Sequence, residues 1–220
     1  VNEYGTAWNA SRQRVSELIL RTPLPELERV APLTPEWRVR DIVAHLVGVA
    51  QDVSSGNFPQ DFDAWTSAQV ERLRAIDAHT LVRQWQGFPI GEMLSEPLAI
   101  ALYDQATHEA DICHAVGVPS ELDSATLSLL SNFTLSRFGA QANDLHVTLN
   151  LDNQIFETGT GSIDVTLSAT AFEWCRASSG RRSANQIRAM AWHGDVDILK
   201  ILFENGFFTP SRVDVFESTR

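Results

Sequence analysis

The chain is poor in cysteine: Cys113 and Cys175 are the only two in 220 residues. Two thiols make neither a disulfide framework nor a cysteine-rich zinc finger, and a reducing cytoplasm is the expected compartment. Cys113 falls within a helical pattern and reads as a small core residue. Long apolar runs are missing as well. No stretch reaches the roughly 18 residues that a membrane helix needs, and the polar N-terminal stretch has no signal-peptide core. Positive charge is scarce, with 17 basic against 28 acidic residues and a net charge of −11. Nucleic acid is therefore excluded as a partner, because phosphate binding needs a basic footprint. The one basic cluster is "GRRS" at Gly180–Ser183. There is no G-x-G-x-x-G, no P-loop and no G-x-S-x-G. The glycines of "ETGTGSID" join strands and open no helix, so they do not cradle phosphate.

What is present divides into two patterns. Residues 1–140 read as helices. Trp8, Val15, Leu18 and Ile19 share helical spacing, and "RTPLP" ends the first pattern. "RVRDIVAHLVGVAQDV" follows the "PLTPEW" turn as a second helix. "AWTSAQVERLRAIDAHTLVRQWQGF" predicts one long or broken helix, and a fourth begins near Glu96-Pro97 and stops at Gly117. "DSATLSLLSNFTLSRFG" adds a fifth, capped by Asp123 and stopped at Gly139. Residues 141–220 change to period two in "HVTLNLD" and "SIDVTLSA", with a short strand and a glycine turn between them. "TAFEWCRAS" reads as a helix, "IRAMAWHGD" as a short strand, and "VDILKILFENG" as a helix ending at Gly206 before a short polar tail. The expected fold class is α+β with two domains: a helix bundle over 1–140 and a small α+β domain over 141–220.

The fourth helix, "LYDQATHEADICHAVG" from Leu102 to Gly117, carries two Asp, one Glu and two His on a largely apolar segment. At about 100° per residue, His108 stands about 40° from Asp104, and Asp111 about 20° to the other side. Glu109 points about 140° away. Asp104 and His108, at i and i+4, can therefore meet at one point. A carboxylate and an imidazole there suit a divalent metal, with His45 of the second helix as third ligand. Three ligands leave a position open for water or substrate, which is the catalytic arrangement. The same spacing also suits a hydrogen-bonded Asp–His pair and a satisfied core histidine.

"PEWRVRDIVAHLVG" and "LYDQATHEADICHAVGVP" together resemble the mycothiol-dependent maleylpyruvate isomerase family, within the DinB-like superfamily of metal-binding four-helix bundles. The first signature rests on Trp37, Arg40-Asp41 and Ala44-His45-Leu46. The second rests on Asp104, His108, Glu109, Asp111-Ile112 and the Ala115–Pro119 ending. "TAFEWCRASSGRRSANQI" and "WHGDVDILKILFENG" extend the likeness over nearly the whole chain. The resemblance implies an up-down DinB-like bundle carrying His45, Asp104 and His108 as a metal triad. Zinc is the expected ion, with nickel, iron and manganese as alternatives, and Asp41 and Asp111 stand behind the ligands. It also implies mycothiol as thiol cosubstrate and a small electrophilic substrate. The reaction is then isomerisation of a maleylpyruvate-like compound or thiol S-transfer, by a monomer or homodimer. Arg181 and Arg182 are the candidate contacts for an anionic substrate, because a guanidinium grips a carboxylate in two places. A solvated basic turn is the alternative for that pair. The chain departs from the family in carrying Asp104 where the founding isomerase has Glu, and His114 where many relatives have Arg. A reading of another class is a non-catalytic small-molecule or lipid-binding or stress-related protein with a vestigial metal site. The second domain resembles the sterol-carrier-like fold, and Val147, Leu149, Ile163, Val165 and Leu167 would line such a cavity or form plain core.

Overall fold

The computed structural model describes residues 2–58, 60–139, 144–204 and 208–219. The chain forms two compact units, Val1–Glu121 with Glu217–Arg220, and Leu122–Phe216. The first is helical and the second is a mixed sheet with helices. The expected division near residue 141 and the helix stop at Gly206 lie outside the described residues. The fifth helix belongs to the second unit, because its apolar face lies on that unit's elements.

In the first unit, α1 (Glu3–Arg21) begins where the Asn2 side chain accepts the Gly5 amide at 2.8 Å. It buries Trp8, Val15, Leu18 and Ile19, as the spacing predicts. A short helix α2 (Leu24–Leu27) leads into a two-stranded antiparallel hairpin, β1 (Val30–Ala31) and β2 (Thr34–Arg38). The expected "PLTPEW" turn is this hairpin, with Pro35 inside β2. α3 (Val39–Ser55) starts with the Asp41 carboxylate accepting the Arg38 amide at 3.0 Å and stops at Gly56, whose φ of 75° suits a residue without Cβ.

The expected long third helix is broken into α4 (Phe62–Leu73) and α5 (Ala78–Trp85). Asp77 makes the break: its carboxylate accepts the Thr80 amide at 2.9 Å and starts a new helix. α6 (Ala99–Val116) ends at Gly117, φ 78°, where the Val118 amide reaches back to the Cys113 carbonyl at 2.9 Å. α3 packs against α4, α5 and α6, while α1 packs against α5 and α6. No helix among the described residues is long and apolar enough to cross a membrane.

In the second unit, α7 (Ser124–Gly139) precedes β3 (Leu145–Leu151), β4 (Gln154–Thr158) and β5 (Ile163–Ala169). α8 (Ala171–Ser178), α9 (Ala184–Arg188), β6 (Ala191–His193) and α10 (Ile198–Phe203) complete it. The sheet order is β4-β3-β5-β6, with β3 and β5 parallel and the other pairs antiparallel. Asp152 and Asn153, both at positive φ, make the tight β3–β4 turn. The chain then crosses the start of β3 at Gly161, where a Cβ would fall 1.9 Å from the Asp144 carbonyl carbon. Val147, Leu149, Val165 and Leu167 are buried, while Ile163 is exposed. α7 packs on α8 and β4, and the Trp174 indole donates to the Thr134 hydroxyl at 2.7 Å. The expected polar tail is partly built in: Ser211 pairs with Ser183, the Val215 amide donates to Gln186, and Thr219 returns to pair with Ser120 in the first unit.

Candidate metal centre

α3 and α6 lie side by side, and their contact brings His45, Asp104 and His108 together. One donor atom from each lies within 4.8 Å of the others. His45 Nε2 is 3.0 Å from one Asp104 oxygen, and His108 Nε2 is 3.6 Å from the other. Both imidazoles are buried, whereas the Asp104 side chain is 31% exposed, so the cluster meets solvent on the carboxylate side. This is the triad that the helix wheel and the family likeness predict. Two nitrogens and a carboxylate are a donor set that suits zinc and other divalent first-row ions.

Each imidazole has a partner at its other nitrogen. His108 Nδ1 lies 3.1 Å from the fully buried Asp111 carboxylate, three residues along α6. Carboxylate–histidine pairs of this kind orient metal-binding imidazoles. His45 Nδ1 lies 2.8 Å from Oε1 of Gln69, a fully buried residue of α4. Gln69 Nε2 donates to Asp52 at 2.8 Å, and Arg72 donates to the other Asp52 oxygen at 3.1 Å. Trp37 of β2 flanks both rings, its centroid 5.2 Å from that of His45 and 5.8 Å from that of His108. The hairpin thus serves to carry this indole to the site.

The electrostatics at His45 combine opposing effects. Burial presses the imidazole toward its neutral form. The Asp104 charge and the hydrogen bonds to Asp104 and Gln69 outweigh it, so the His45 pKa stands above its ordinary value. A positive charge is favoured where the three groups converge.

The other sequence candidates fall elsewhere. Asp111 lies against His108, whereas Asp41 caps the start of α3. Glu109 is buried on another face of α6, gripped by Arg14 of α1 at 2.6 and 3.1 Å. Arg182 is buried in a two-pronged pair with Glu173, at 2.6 and 2.7 Å. Arg181 donates to the Ser179 carbonyl at 2.7 Å and lies over the Phe208 ring. Both guanidinium groups are thus engaged within the second unit. Burial pushes the Cys113 thiol up to about 12, aided by Glu109, and burial does the same at Cys175. Neither thiol is a nucleophile at neutral pH.

Gln69 carries the support that sequence reasoning missed, whereas the helix wheel places Asp52, like Asp41, within about 40° of His45. The one trace in the sequence is Gly48, a turn beyond His45 on α3. A Cβ there would come within 2.6 Å of the Gln69 Cβ. Glycine at 48 lets the Gln69 side chain approach α3 closely enough to reach His45.

Comparisons with known proteins give a likeness of fold. Solved structures similar to this chain include a mycothiol-dependent maleylpyruvate isomerase, at a TM-score of 0.52 and 13% identity. A histidine-to-alanine mutant of a mycothiol-dependent maleylpyruvate isomerase matches at a TM-score of 0.51 and 12% identity. Each match covers 81% of this chain and 88% of the other. No family model and no curated protein sequence matches the chain. At this identity the likeness concerns the fold.

Proposed function

We propose that the chain is a metal-dependent, mycothiol-linked enzyme, an isomerase or thiol S-transferase acting on a small electrophile of the maleylpyruvate kind. In this reading the helical unit is a DinB-like up-down four-helix bundle in which α4 and α5 together form one member. The second unit is sterol-carrier-like. The observation that carries the proposal is the convergence of His45 Nε2, His108 Nε2 and the Asp104 carboxylate, all within 4.8 Å. The fold likeness to a mycothiol-dependent maleylpyruvate isomerase supports the choice of thiol and substrate.

His45, Asp104 and His108 would hold the cation, with zinc the best match to two imidazoles and one carboxylate. When bound, such a cation lowers the pKa of a coordinated thiol or water, keeping the nucleophile ionised at neutral pH. The protein's own groups do the rest. Gln69 and Asp111 hold the imidazoles from behind. Trp37 walls the two rings, and the partly exposed edge of Asp104 is the side from which small molecules reach the cluster. The buried cysteines supply no thiolate, so the thiol comes from a cosubstrate.

Elemental analysis after zinc reconstitution tests the metal. The expected result is about one ion per chain in the wild type and a large loss in His108→Ala. Wild-type and variant proteins that are alike and metal-free overturn it. A screen of thiols with maleylpyruvate-like electrophiles tests the activity, and zinc-loaded protein without turnover of any thiol–electrophile pair counts against the enzyme. Native mass spectrometry on the same sample reads carried-over lipid. Lipid without metal would favour a non-catalytic binder.

A further inference from the structure

We infer that Gln69 is a positioning residue for the cation site, and that Asp52, held by Arg72, dictates which way the Gln69 amide points. The inference rests on the metal reading of His45, Asp104 and His108 and extends it to a third helix, α4.

An amide side chain can sit in either of two orientations, and its partners decide between them. In one, Oε1 accepts from His45 Nδ1 and Nε2 donates to Asp52, each over 2.8 Å. In the other, Oε1 would face the Asp52 carboxylate at that same short separation, acceptor against acceptor. An ionised carboxylate offers no hydrogen to relieve this. Arg72, 3.1 Å away, donates to the other Asp52 oxygen, so both carboxylate oxygens are occupied as acceptors. The first orientation is therefore enforced. It places the single proton of a neutral His45 on Nδ1 and leaves the electron pair on Nε2, which is the atom 3.0 Å from Asp104.

The order of control runs inward from the surface. Arg72 is half-exposed, Asp52 is buried, and Gln69 is fully buried. A neutral amide between Asp52 and His45 fixes the ring without adding charge to it. His108, by contrast, is backed directly by the Asp111 carboxylate. The two histidines then become unequal donors, with His108 the more electron-rich.

The test uses Asp52→Asn and Gln69→Met in the full chain. An asparagine at 52 can donate as well as accept, so it frees the Gln69 amide to turn. A methionine at 69 removes both hydrogen bonds at similar volume. Nitrogen-15 NMR of metal-free protein, at a pH where His45 is neutral, reads the tautomer directly. The expected result is Nδ1–H at His45 in the wild type, a shift toward Nε2–H in both variants, and no change at His108. Zinc affinity, by competition with a chromogenic chelator, should fall about tenfold in both variants. Near-ultraviolet circular dichroism checks the fold, and Asp52→Asn keeps the test decisive where Gln69→Met unfolds. An unchanged His45 tautomer in both variants overturns the inference. A wild type that binds no zinc overturns the metal reading instead, and the tautomer measurement still decides whether Gln69 positions His45.

Discussion

His45 Nε2 lies 3.0 Å from the nearer Asp104 oxygen, although both atoms bear an electron pair when the imidazole carries its proton on Nδ1. Two electron pairs at that distance repel. A proton or a cation on the line between them turns the repulsion into attraction. The same contact raises the His45 pKa, because the protonated ring is the form that can donate to Asp104.

A pH dependence follows from the sign of that shift. A histidine whose folded-state pKa is raised stabilises the fold fully below its unfolded pKa of about 6.5, and the contribution disappears as pH rises through the folded value. In chelator-treated protein, the thermal-stability advantage of wild type over His45→Gln should therefore be largest near pH 6 and shrink at higher pH. Zinc affinity should run the opposite way, rising with pH, because proton and cation compete for the same nitrogen. Differential scanning fluorimetry across pH, with and without zinc, measures both trends. A stability difference independent of pH would mean that the His45–Asp104 contact carries no proton-linked energy.

Gly48→Ala sets two known effects against each other. Alanine gains about 1 kcal/mol over glycine in a helix interior. The new Cβ, however, would stand 2.6 Å from the Gln69 Cβ and 2.7 Å from its Cγ, and overpacking of this kind costs about 1–3 kcal/mol. The crowded atoms lie near the root of the side chain, so Gln69 cannot simply swing its end away. The expected outcome is a net loss of about 1 kcal/mol in denaturant titration, with weaker zinc binding because Gln69 is pushed off His45. A more stable variant with unchanged zinc affinity would show that α3 and α4 part without consequence.

Arg14 and Glu109 form a largely buried charge pair on a different face of α6 from Asp104. Glu109 is almost wholly buried, while Arg14 is 21% exposed. Removing one partner of such a pair commonly costs about 3 kcal/mol, because the remaining charge loses its compensation in a poorly solvated place. Arg14→Met should destabilise the fold by roughly that amount, and zinc affinity should not change. Chemical denaturation and chelator competition on the same sample separate the two effects. A large loss of zinc affinity would tie this pair to the metal cluster.

The legible and illegible parts of the site differ for a physical reason. Asp104 and His108 meet because i and i+4 on a helix are neighbours whatever surrounds it, so spacing alone suffices. Asp111 backing His108 is local in the same way. His45 needs the pairing of α3 with α6, which spacing does not contain: its place on an apolar helix face nominates it, and the family resemblance implies the pairing. Gln69 needs the relation of α4 to α3 and the break at Asp77, and neither leaves a periodic trace. Glu109 sits on the face that the wheel predicts, but its partner on α1 is set by helix packing. Asp41 shows the limit of the wheel, which places it near His45 in angle while its carboxylate is spent capping the first turn. The strands of the second unit were legible from alternation, whereas the hairpin bearing Trp37 was legible only as a turn.

Trp37 offers an optical reading of the site. Its indole lies 5.2 and 5.8 Å, centroid to centroid, from the two imidazoles, with ring planes tilted by 48° and 32°. A paramagnetic ion such as cobalt(II) held between those imidazoles would sit close enough to quench the indole's fluorescence. Zinc has a filled d shell and cannot quench by that route, so it should change the emission little. Trp8 and Trp85 pack on each other within the first unit, and Trp174 and Trp192 do so in the second. Cobalt titration should therefore remove part of the emission, saturate at about one equivalent and reverse with chelator. In Trp37→Phe the cobalt-sensitive part should be largely lost, while one equivalent of metal still binds, because phenylalanine keeps an apolar ring against the imidazoles. Equal quenching in wild type and Trp37→Phe would place the cation away from the indole, and hence away from His45 and His108.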